Sequence, residues 1–178
     1  YALSGAILSE LALAGCIELT EDKTPQVVFR RPAAFDDELL DEALKKIIDA
    51  PRQKSAVDWI GVLAGLPDMR LRIARGLCRR GILEEIESRH LFVFTSRRFP
   101  TLDPTLEYDA VDRSRSAIFS DVAQIDPRTA MLIALADVVQ LLPLRFSADA
   151  LRKRKERLEW IREHSGLQLA ARKAIAAI

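Results

Sequence analysis

The sequence has few of the features that mark secreted, membrane-spanning or metal-binding proteins. Its two cysteines, Cys16 and Cys78, lie in apolar surroundings, and no Cys/His spacing suits zinc. We therefore expect no disulfide framework and no metal, and a reducing compartment. There is no run of eighteen apolar residues and no charged leader followed by an apolar stretch. The sequence thus predicts a cytoplasmic protein without a membrane span or a signal peptide.

An excess of one charge is also lacking. The chain has 27 basic and 26 acidic residues, a net charge of +1, so affinity for nucleic acid or membrane must come from a local patch. A chain of 178 residues with 49% hydrophobic and 30% charged residues has an ordinary globular composition and can bury one sizeable core.

Motifs that carry catalysis are missing as well. We find no GxSxG, no HExxH and no glycine-rich phosphate loop. The sequence therefore predicts no catalytic residues and no cofactor, and a protein that is not an enzyme. The chain begins at Tyr1, without Met and already inside an apolar periodic segment, so we expect an N-terminal segment to precede it.

Helical periodicity runs through almost the whole chain. Residues 2–15 are apolar nearly all round, which predicts a buried central helix ringed by amphipathic helices. Two small β-hairpins are predicted at 17–30 and 82–99, the second with its tip around Glu87 to Arg89. No repeat or linker interrupts the pattern, so we expect one mainly α domain over 1–178. The other predicted helices are 36–48, 55–65, 67–80, 104–120, 127–142, 148–163 and 167–178.

The predicted helix PDMRLRIARGLCRRG contains five arginines. On a helical wheel, Arg72, Arg75 and Arg79 cluster opposite a broad apolar arc, as on a solvated face. Arg70 projects from near the middle of that arc. Its guanidinium must reach out to water, pair with a carboxylate or line an anion-binding pocket. The pattern leaves two alternatives for Arg70, a structural ion pair and a ligand site.

Glu10 is the acidic residue of the nearly all-apolar first helix. A carboxylate buried there without a partner would be costly, so we expect a buried structural ion pair. Arg70 is one candidate partner.

The second predicted hairpin has an aromatic character. Phe92 and Phe94 share one face of a strand, and Phe99 follows shortly after. An isolated two-stranded hairpin is marginally stable in water, and exposed aromatic side chains on it would attract a partner. Two alternatives stay open: packing onto the domain's own helices, and self-association.

The order of helix 55–65, arginine helix and hairpin also occurs in winged-helix DNA-binding proteins. Against this alternative stand the near-zero net charge and the apolar LFVF of the hairpin, which suits a DNA-contacting wing poorly. Binding to nucleic acid is therefore the second alternative and is not expected.

Several segments resemble one known family in the same order along the chain. These are SGAILSELALAGCIEL, DELLDEALKKI, WIGVLAG, RGLCRRGILEE with its hairpin and FPTLDPTLE, and DPRTAMLIALA. Together they resemble the Golgi phosphoprotein 3 family, in its bacterial branch. The resemblance implies a mainly α-helical domain with a projecting hairpin used for self-association. Eukaryotic members are peripheral Golgi membrane proteins that bind phosphatidylinositol 4-phosphate and sort glycosyltransferases.

The resemblance also implies positions for a headgroup pocket. Arg70 falls on a basic position of the family, whereas Ser4 and Pro67 stand at two further basic positions. We expect a non-enzymatic adaptor, peripheral on the inner face of the membrane, that binds an anionic phospholipid headgroup. The expected ligand residues are Arg70 and, from the rim, Arg72, Arg75 and Arg79. A homo-oligomer is expected through the 82–99 hairpin, and the sequence identifies no client protein.

Overall fold

The computed structural model describes residues 1–20, 22–90 and 94–164. The mainly α class with two small antiparallel strand pairs is confirmed. The predicted helix 167–178 lies outside the described residues. The elements are α1 (Ala2–Leu13), β1 (Ile17–Leu19), β2 (Val27–Phe29), α2 (Glu38–Ile48), α3 (Ala56–Ala64), α4 (Met69–Arg79), β3 (Ile86–His90), β4 (Phe94–Arg98), α5 (Thr105–Phe119), α6 (Pro127–Val138), a 3₁₀ helix (Leu142–Leu144), α7 (Ala148–Lys153) and α8 (Lys155–His164).

The chain divides into two compact units. Unit 1 comprises Tyr1–Leu66 and the residues from Val111 onward, and unit 2 comprises Pro67–Ala110. A winged-helix domain would need helix α3, helix α4 and the second hairpin in one compact unit. Here α3 belongs to unit 1, whereas α4 and the hairpin belong to unit 2. The division therefore disfavours the DNA-binding alternative. The single domain over 1–178 stays a prediction.

In unit 1, α1 has the central position that the sequence predicts. It packs against α2, α3 and α6 and against strand β1. Leu8 and Leu11 are almost completely buried along it, and Trp59 of α3 is buried as well. Burial on several sides explains why α1 lacks a polar face.

A tight turn ends α1 and starts the first hairpin. Gly15 has φ +70°, its N–H donates to the Ala12 carbonyl, and the Cys16 N–H donates to the Leu11 carbonyl. This is the Schellman arrangement, which favours glycine because of the left-handed backbone. The hairpin then pairs Ile17 with Phe29 and Leu19 with Val27.

Side chains cap the starts of the next helices. Asp37 accepts from two backbone N–H groups of α2, and Ser55 and Asp58 form a reciprocal capping box at α3. Asp126 accepts from the Thr129 N–H at the start of α6. Both hydrogen bonds with Thr129 lower the pKa of Asp126.

A second part of the core of unit 1 lies among α5, α6, α7 and α8. Ile118, Ile133 and Ile161 are almost fully buried there. The rings of Phe119 and Phe146 meet edge to face with centroids 5.6 Å apart. This cluster fixes the chain on both sides of the connection between α6 and α7.

Two helix boundaries differ from the predictions. The helix predicted over 127–142 ends at Val138, because Gln140 adopts a left-handed conformation (φ +57°) and closes a Schellman turn without glycine. The helix predicted over 148–163 is two helices. Arg154 interrupts it with φ −109°, and its guanidinium donates to the Phe119 carbonyl and to Asp121.

In unit 2, α4 leads into the second hairpin through a turn at Gly81. Gly81 has φ +72°, and the Gly81 and Ile82 N–H groups donate to the carbonyls of Cys78 and Leu77. This left-handed glycine turn ends α4. Helix α4 begins at Met69, so Pro67 precedes it rather than occupying its first turn.

The position predicted for the tip of the second hairpin is wrong. The strands pair Glu87 with Arg97, Arg89 with Thr95, and His90 with Phe94. Glu87 to Arg89 therefore lie within β3, and residues 91–93 lie outside the described residues. The polar composition suggested a turn at 87–89, but these residues pair with an equally polar strand.

Neither cysteine forms a disulfide. Among the described helices, none combines the length and the apolar character needed to cross a membrane.

Candidate functional site

Helix α4 carries the arginines that the sequence predicts as anion ligands. Its apolar residues are only half-buried, and none of its residues is fully buried. The helix starts after Asp68, which has a left-handed backbone (φ 51°) and whose side chain does not cap the helix. The arginines thus lie on a helix with one half-buried apolar face and one face exposed to solvent.

Arg70 and Arg79 lie at the two ends of α4, and both are exposed. Within the described parts of the chain, neither makes a hydrogen bond or an ion pair. Of the three options for Arg70 (contact with water, pairing with a carboxylate, or lining an anion-binding pocket), the exposure of its side chain corresponds to contact with water. Both side chains can therefore accept an external anion without breaking an internal contact.

Arg75 is engaged within unit 2. Its Nε and Nη2 donate to the two carboxylate oxygens of Glu85, at 3.1 and 3.0 Å. The hydrogen bond to Glu85 raises the pKa of Arg75, and the same contact lowers the pKa of Glu85. Because this charge is already matched, Arg75 suits the positioning of the hairpin better than the binding of a ligand.

The contact of Arg75 belongs to a chain of four charges. Arg97 Nε lies 3.5 Å from Glu85, and Arg97 Nη2 lies 3.1 Å from Glu87. Glu87 and Arg97 are directly opposed across the strand pair. The alternating charges connect α4 to both strands of the hairpin. With Glu87 predicted at the tip, this network could not be seen in the sequence; a register that places Glu87 opposite Arg97 would have indicated that pair.

Arg72, the fourth predicted ligand, is half-buried and has a partner within the chain. Of the four arginines, Arg70 and Arg79 are thus the ones without an internal partner among the described residues.

The two other family positions differ in their surroundings. Ser4 lies in α1 and is completely buried, and its Oγ is the one buried side-chain polar atom of the described residues without a hydrogen-bond partner. Pro67 is exposed just before α4. Neither side chain supplies a positive charge, so Arg70 is the basic residue among the three positions that the resemblance implies.

The expectation for Glu10 needs two corrections. Its partner is Arg128 of α6 and not Arg70, with Arg128 Nη2 at 3.0 Å from Glu10 Oε2. The pair is not buried, because 37% of the Glu10 side chain and 67% of the Arg128 side chain are exposed. One turn of α1 therefore faces the rim of unit 1, where a charged pair retains water.

The predicted aromatic face of the hairpin is described only in part. Phe92 lies outside the described residues. Phe94 is in β4 opposite His90, and only its backbone is described. Phe99, just after β4, is half-buried. Self-association through these residues stays a prediction.

A metal centre finds no support in the described ranges, which contain no group of three or more His, Cys, Asp or Glu side chains placed to hold an ion.

The fold and the arginine helix define a mainly helical module with a candidate anion-binding surface in unit 2. The chain belongs to the Golgi phosphoprotein 3 (GPP34) family, whose model matches residues 1–178. The resemblance found in the sequence is thereby confirmed.

A curated relative is vacuolar protein sorting-associated protein 74 of Eremothecium gossypii, which is 30% identical over 122 residues. The match covers 58% of this chain and 36% of the relative, so it spans little more than a third of that protein's length.

Proposed function

We propose that this chain is a peripheral membrane module that binds anionic phospholipid headgroups through helix α4, with Arg70 as the main contact. The observation that carries the proposal is an exposed guanidinium without an internal partner among the described residues, at a position where the resemblance implies a basic residue. We also propose that the whole chain acts as one domain, as the family match over 1–178 supports.

A phosphate group is a suitable ligand for Arg70. Guanidinium donors match phosphate oxygens in a two-pronged geometry, and hydrogen bonds to charged groups contribute about 1.5–3 kcal/mol each. Arg79, with a solvent-facing side chain at the other end of α4, adds attraction to a negatively charged surface of about 1 kcal/mol. Arg72 and Arg75 have intramolecular partners, so their share in binding is smaller.

The wider role follows from the family. We propose a non-enzymatic adaptor that recruits client proteins to a membrane, since the relative is named for vacuolar protein sorting. A homo-oligomer through the 82–99 hairpin would multiply weak headgroup contacts into stable attachment.

Vesicle flotation tests the proposal. Phosphatidylcholine vesicles are compared with vesicles that also contain phosphatidylglycerol or phosphatidylinositol 4-phosphate. We expect binding to the anionic vesicles, and Arg70→Ala to weaken it about tenfold, the loss of one charge-assisted contact. Arg72→Ala, Arg75→Ala and Arg79→Ala should each have a smaller effect. Arg52→Ala, which removes an exposed arginine outside α4, is the matched control.

Two results contradict the proposal. Equal losses for all four α4 variants with a steep salt dependence would indicate a diffuse basic face instead of a contact centred on Arg70. Binding of the wild type to duplex DNA and to no vesicle would support the winged-helix alternative.

A further inference from the structure

We propose that the connection between α6 and α7 is a second membrane-contact element, which inserts Leu141 and Leu144 into the surface of an anionic bilayer. This inference rests on the proposed function and adds a contact in unit 1 to the one proposed in unit 2.

The two leucines form one exposed apolar tip. Leu141 is 50% exposed and Leu144 is 73% exposed, values high for leucine. The Leu144 N–H donates to the Leu141 carbonyl at 3.1 Å, which makes one 3₁₀ turn. Side chains three residues apart in such a turn lie on the same side, so both leucines point the same way.

The tip is held on a fixed base. Leu142, between the two leucines, is 4% exposed, and Phe146 is buried too; both belong to the core of unit 1. The left-handed Gln140 turns the chain out of α6 just before the tip. A tip anchored in this way loses little conformational entropy on contact with a partner. Its exposure is thus part of the folded structure.

The charges around the tip suit an anionic surface. Arg145 follows Leu144 directly, and α7, a helix of about 9 Å, ends with the exposed Arg152 and Lys153. Asp149 is the one acidic residue between 140 and 155, against five basic ones. Arg152 pairs with Asp149, and Arg154 and Lys155 pair with Asp121 and Glu159. Lys153 makes no hydrogen bond or ion pair within the described parts of the chain, so its charge is available to an anionic surface.

A second exposed leucine pair has the opposite environment. Leu102 and Leu106 of unit 2 are 63% and 46% exposed. Their neighbours in sequence include Asp103, Glu107 and Asp109, which an anionic surface repels. Apolar exposure is thus similar in the two pairs, whereas the charge differs. This contrast assigns membrane contact to the Leu141/Leu144 pair.

A lipid surface fits the tip better than a second copy of the chain. A stable protein interface buries roughly 1,200–2,000 Å², far more than two leucines offer. The exposed residues around them include Gln140, Arg145 and Ser147, which are polar. Reversible membrane attachment needs only a small inserted apolar area together with basic charge.

The test compares two double variants in flotation with vesicles of phosphatidylcholine and phosphatidylglycerol. We expect Leu141→Ser with Leu144→Ser to lower vesicle binding about tenfold, and the loss to persist at high salt, because it is apolar in origin. The matched control, Leu102→Ser with Leu106→Ser, should change binding less than about twofold. Circular dichroism checks that both variants keep the helical content of the wild type.

A position-specific probe gives a second measurement. Leu144→Cys in a Cys78→Ala background, with the buried Cys16 left in place, is labelled with an environment-sensitive dye. We expect a blue shift of its emission on addition of vesicles, and quenching by spin-labelled lipid.

The outcomes separate this inference from the proposed function. Bound vesicles with an unshifted probe, or equal binding by the two double variants, would overturn the inference alone. Failure of the wild type to bind any vesicle would overturn both. A lower molecular mass of the Leu141→Ser/Leu144→Ser variant than of the wild type, measured without vesicles, would indicate that the leucines contact a second copy of the chain. If the dye emission is already blue-shifted without vesicles, and deletion of 166–178 removes this shift, the chain's own C-terminal segment covers the two leucines. Either of these results also overturns the inference.

Discussion

Arg128 donates hydrogen bonds from Nε and Nη2 to both carboxylate oxygens of Glu10, at 3.0 to 3.2 Å, and so joins α6 to α1. The contact raises the pKa of Arg128. Because both side chains remain partly exposed, water screens the pair and offsets most of its Coulomb energy. The geometry is nevertheless the two-pronged one that gives the better surface pairs.

We therefore predict a modest coupling energy for this pair. A double-mutant cycle with Glu10→Ala and Arg128→Ala, measured by urea unfolding, should give about 0.5–1 kcal/mol. The more exposed pair of Lys45 and Asp49 in α2 is the control and should give about 0.3–0.5 kcal/mol. A single-variant loss of about 3–5 kcal/mol would instead indicate the buried pair that the sequence analysis expected.

The turn at Gly15 leads to a second prediction. A Cβ on Gly15 would lie 3.3 Å from Nε and Nη2 of Arg31, whose Nη2 donates to the Ala14 carbonyl. Gly15→Ala should therefore destabilise unit 1 by about 1–2 kcal/mol from the left-handed backbone, with a further loss if Arg31 must move. Gly61→Ala is the control, because a Cβ there meets nothing within 4 Å inside α3, and it should stabilise by about 0.5–1 kcal/mol. Urea unfolding measures the stability of both variants. Equal effects of the two substitutions on the free energy of unfolding would contradict a strained turn at Gly15.

A third prediction concerns the pKa of Glu85. The hydrogen bond from Arg75 is the largest cause that lowers this pKa below the ordinary value of 4.5, and the charge of Arg97 contributes least. Arg75→Ala should therefore raise the Glu85 pKa towards its ordinary value, and Arg97→Ala should raise it less. A pH titration of the side-chain carboxyl carbon by NMR measures both.

The direction of the Glu85 pKa shift determines how the stabilisation from this contact depends on pH. Because folding lowers the Glu85 pKa, the stabilisation is fully present above the ordinary value and is lost as the pH falls through the lowered one. Unfolding of the wild type should thus become easier below about pH 4.5, by more than that of Arg75→Ala. A parallel pH dependence of the two proteins would show that the pair does not contribute.

Much of the fold is readable from sequence because local chemistry specifies it. Asp37, Ser55 and Asp126 cap the starts of α2, α3 and α6, and Gly15 and Gly81 stand at left-handed turns. Each of these features depends on neighbouring residues, so spacing alone is informative.

The failures concern one turn that no residue type marks and contacts between distant residues. Gln140 ends α6 in a conformation that glycine normally takes, so no residue type announced the stop. Glu10 and Arg128 are separated by 118 positions, and periodicity carries no information on such a pair. On α4, spacing placed all four arginines on one helix, but only the structure reveals that Glu85 accepts hydrogen bonds from Arg75.

The last prediction concerns self-association through the hairpin. Ser88 and Ser96 are paired across the strands, with the charge network of Glu85, Glu87 and Arg97 below them. A variant in which a short Gly/Ser turn replaces 89–95 removes Phe92 and Phe94 and keeps that network. We expect its helical content to equal that of the wild type, because none of the described helices includes residues of this range.

Light scattering at matched concentrations should give a lower mass for this variant, because a two-stranded hairpin with phenylalanines gains stability by burying them against a second copy. Phe92→Ser with Phe94→Ser is the finer variant, since it keeps the length of the hairpin, and it should lower the mass to the same value. Glu87→Gln, which changes the network and leaves the phenylalanines, should keep the wild-type mass. A wild type that is already a monomer, or a mass unchanged in both phenylalanine variants, would exclude the hairpin as the association element and favour packing of these side chains within the chain itself.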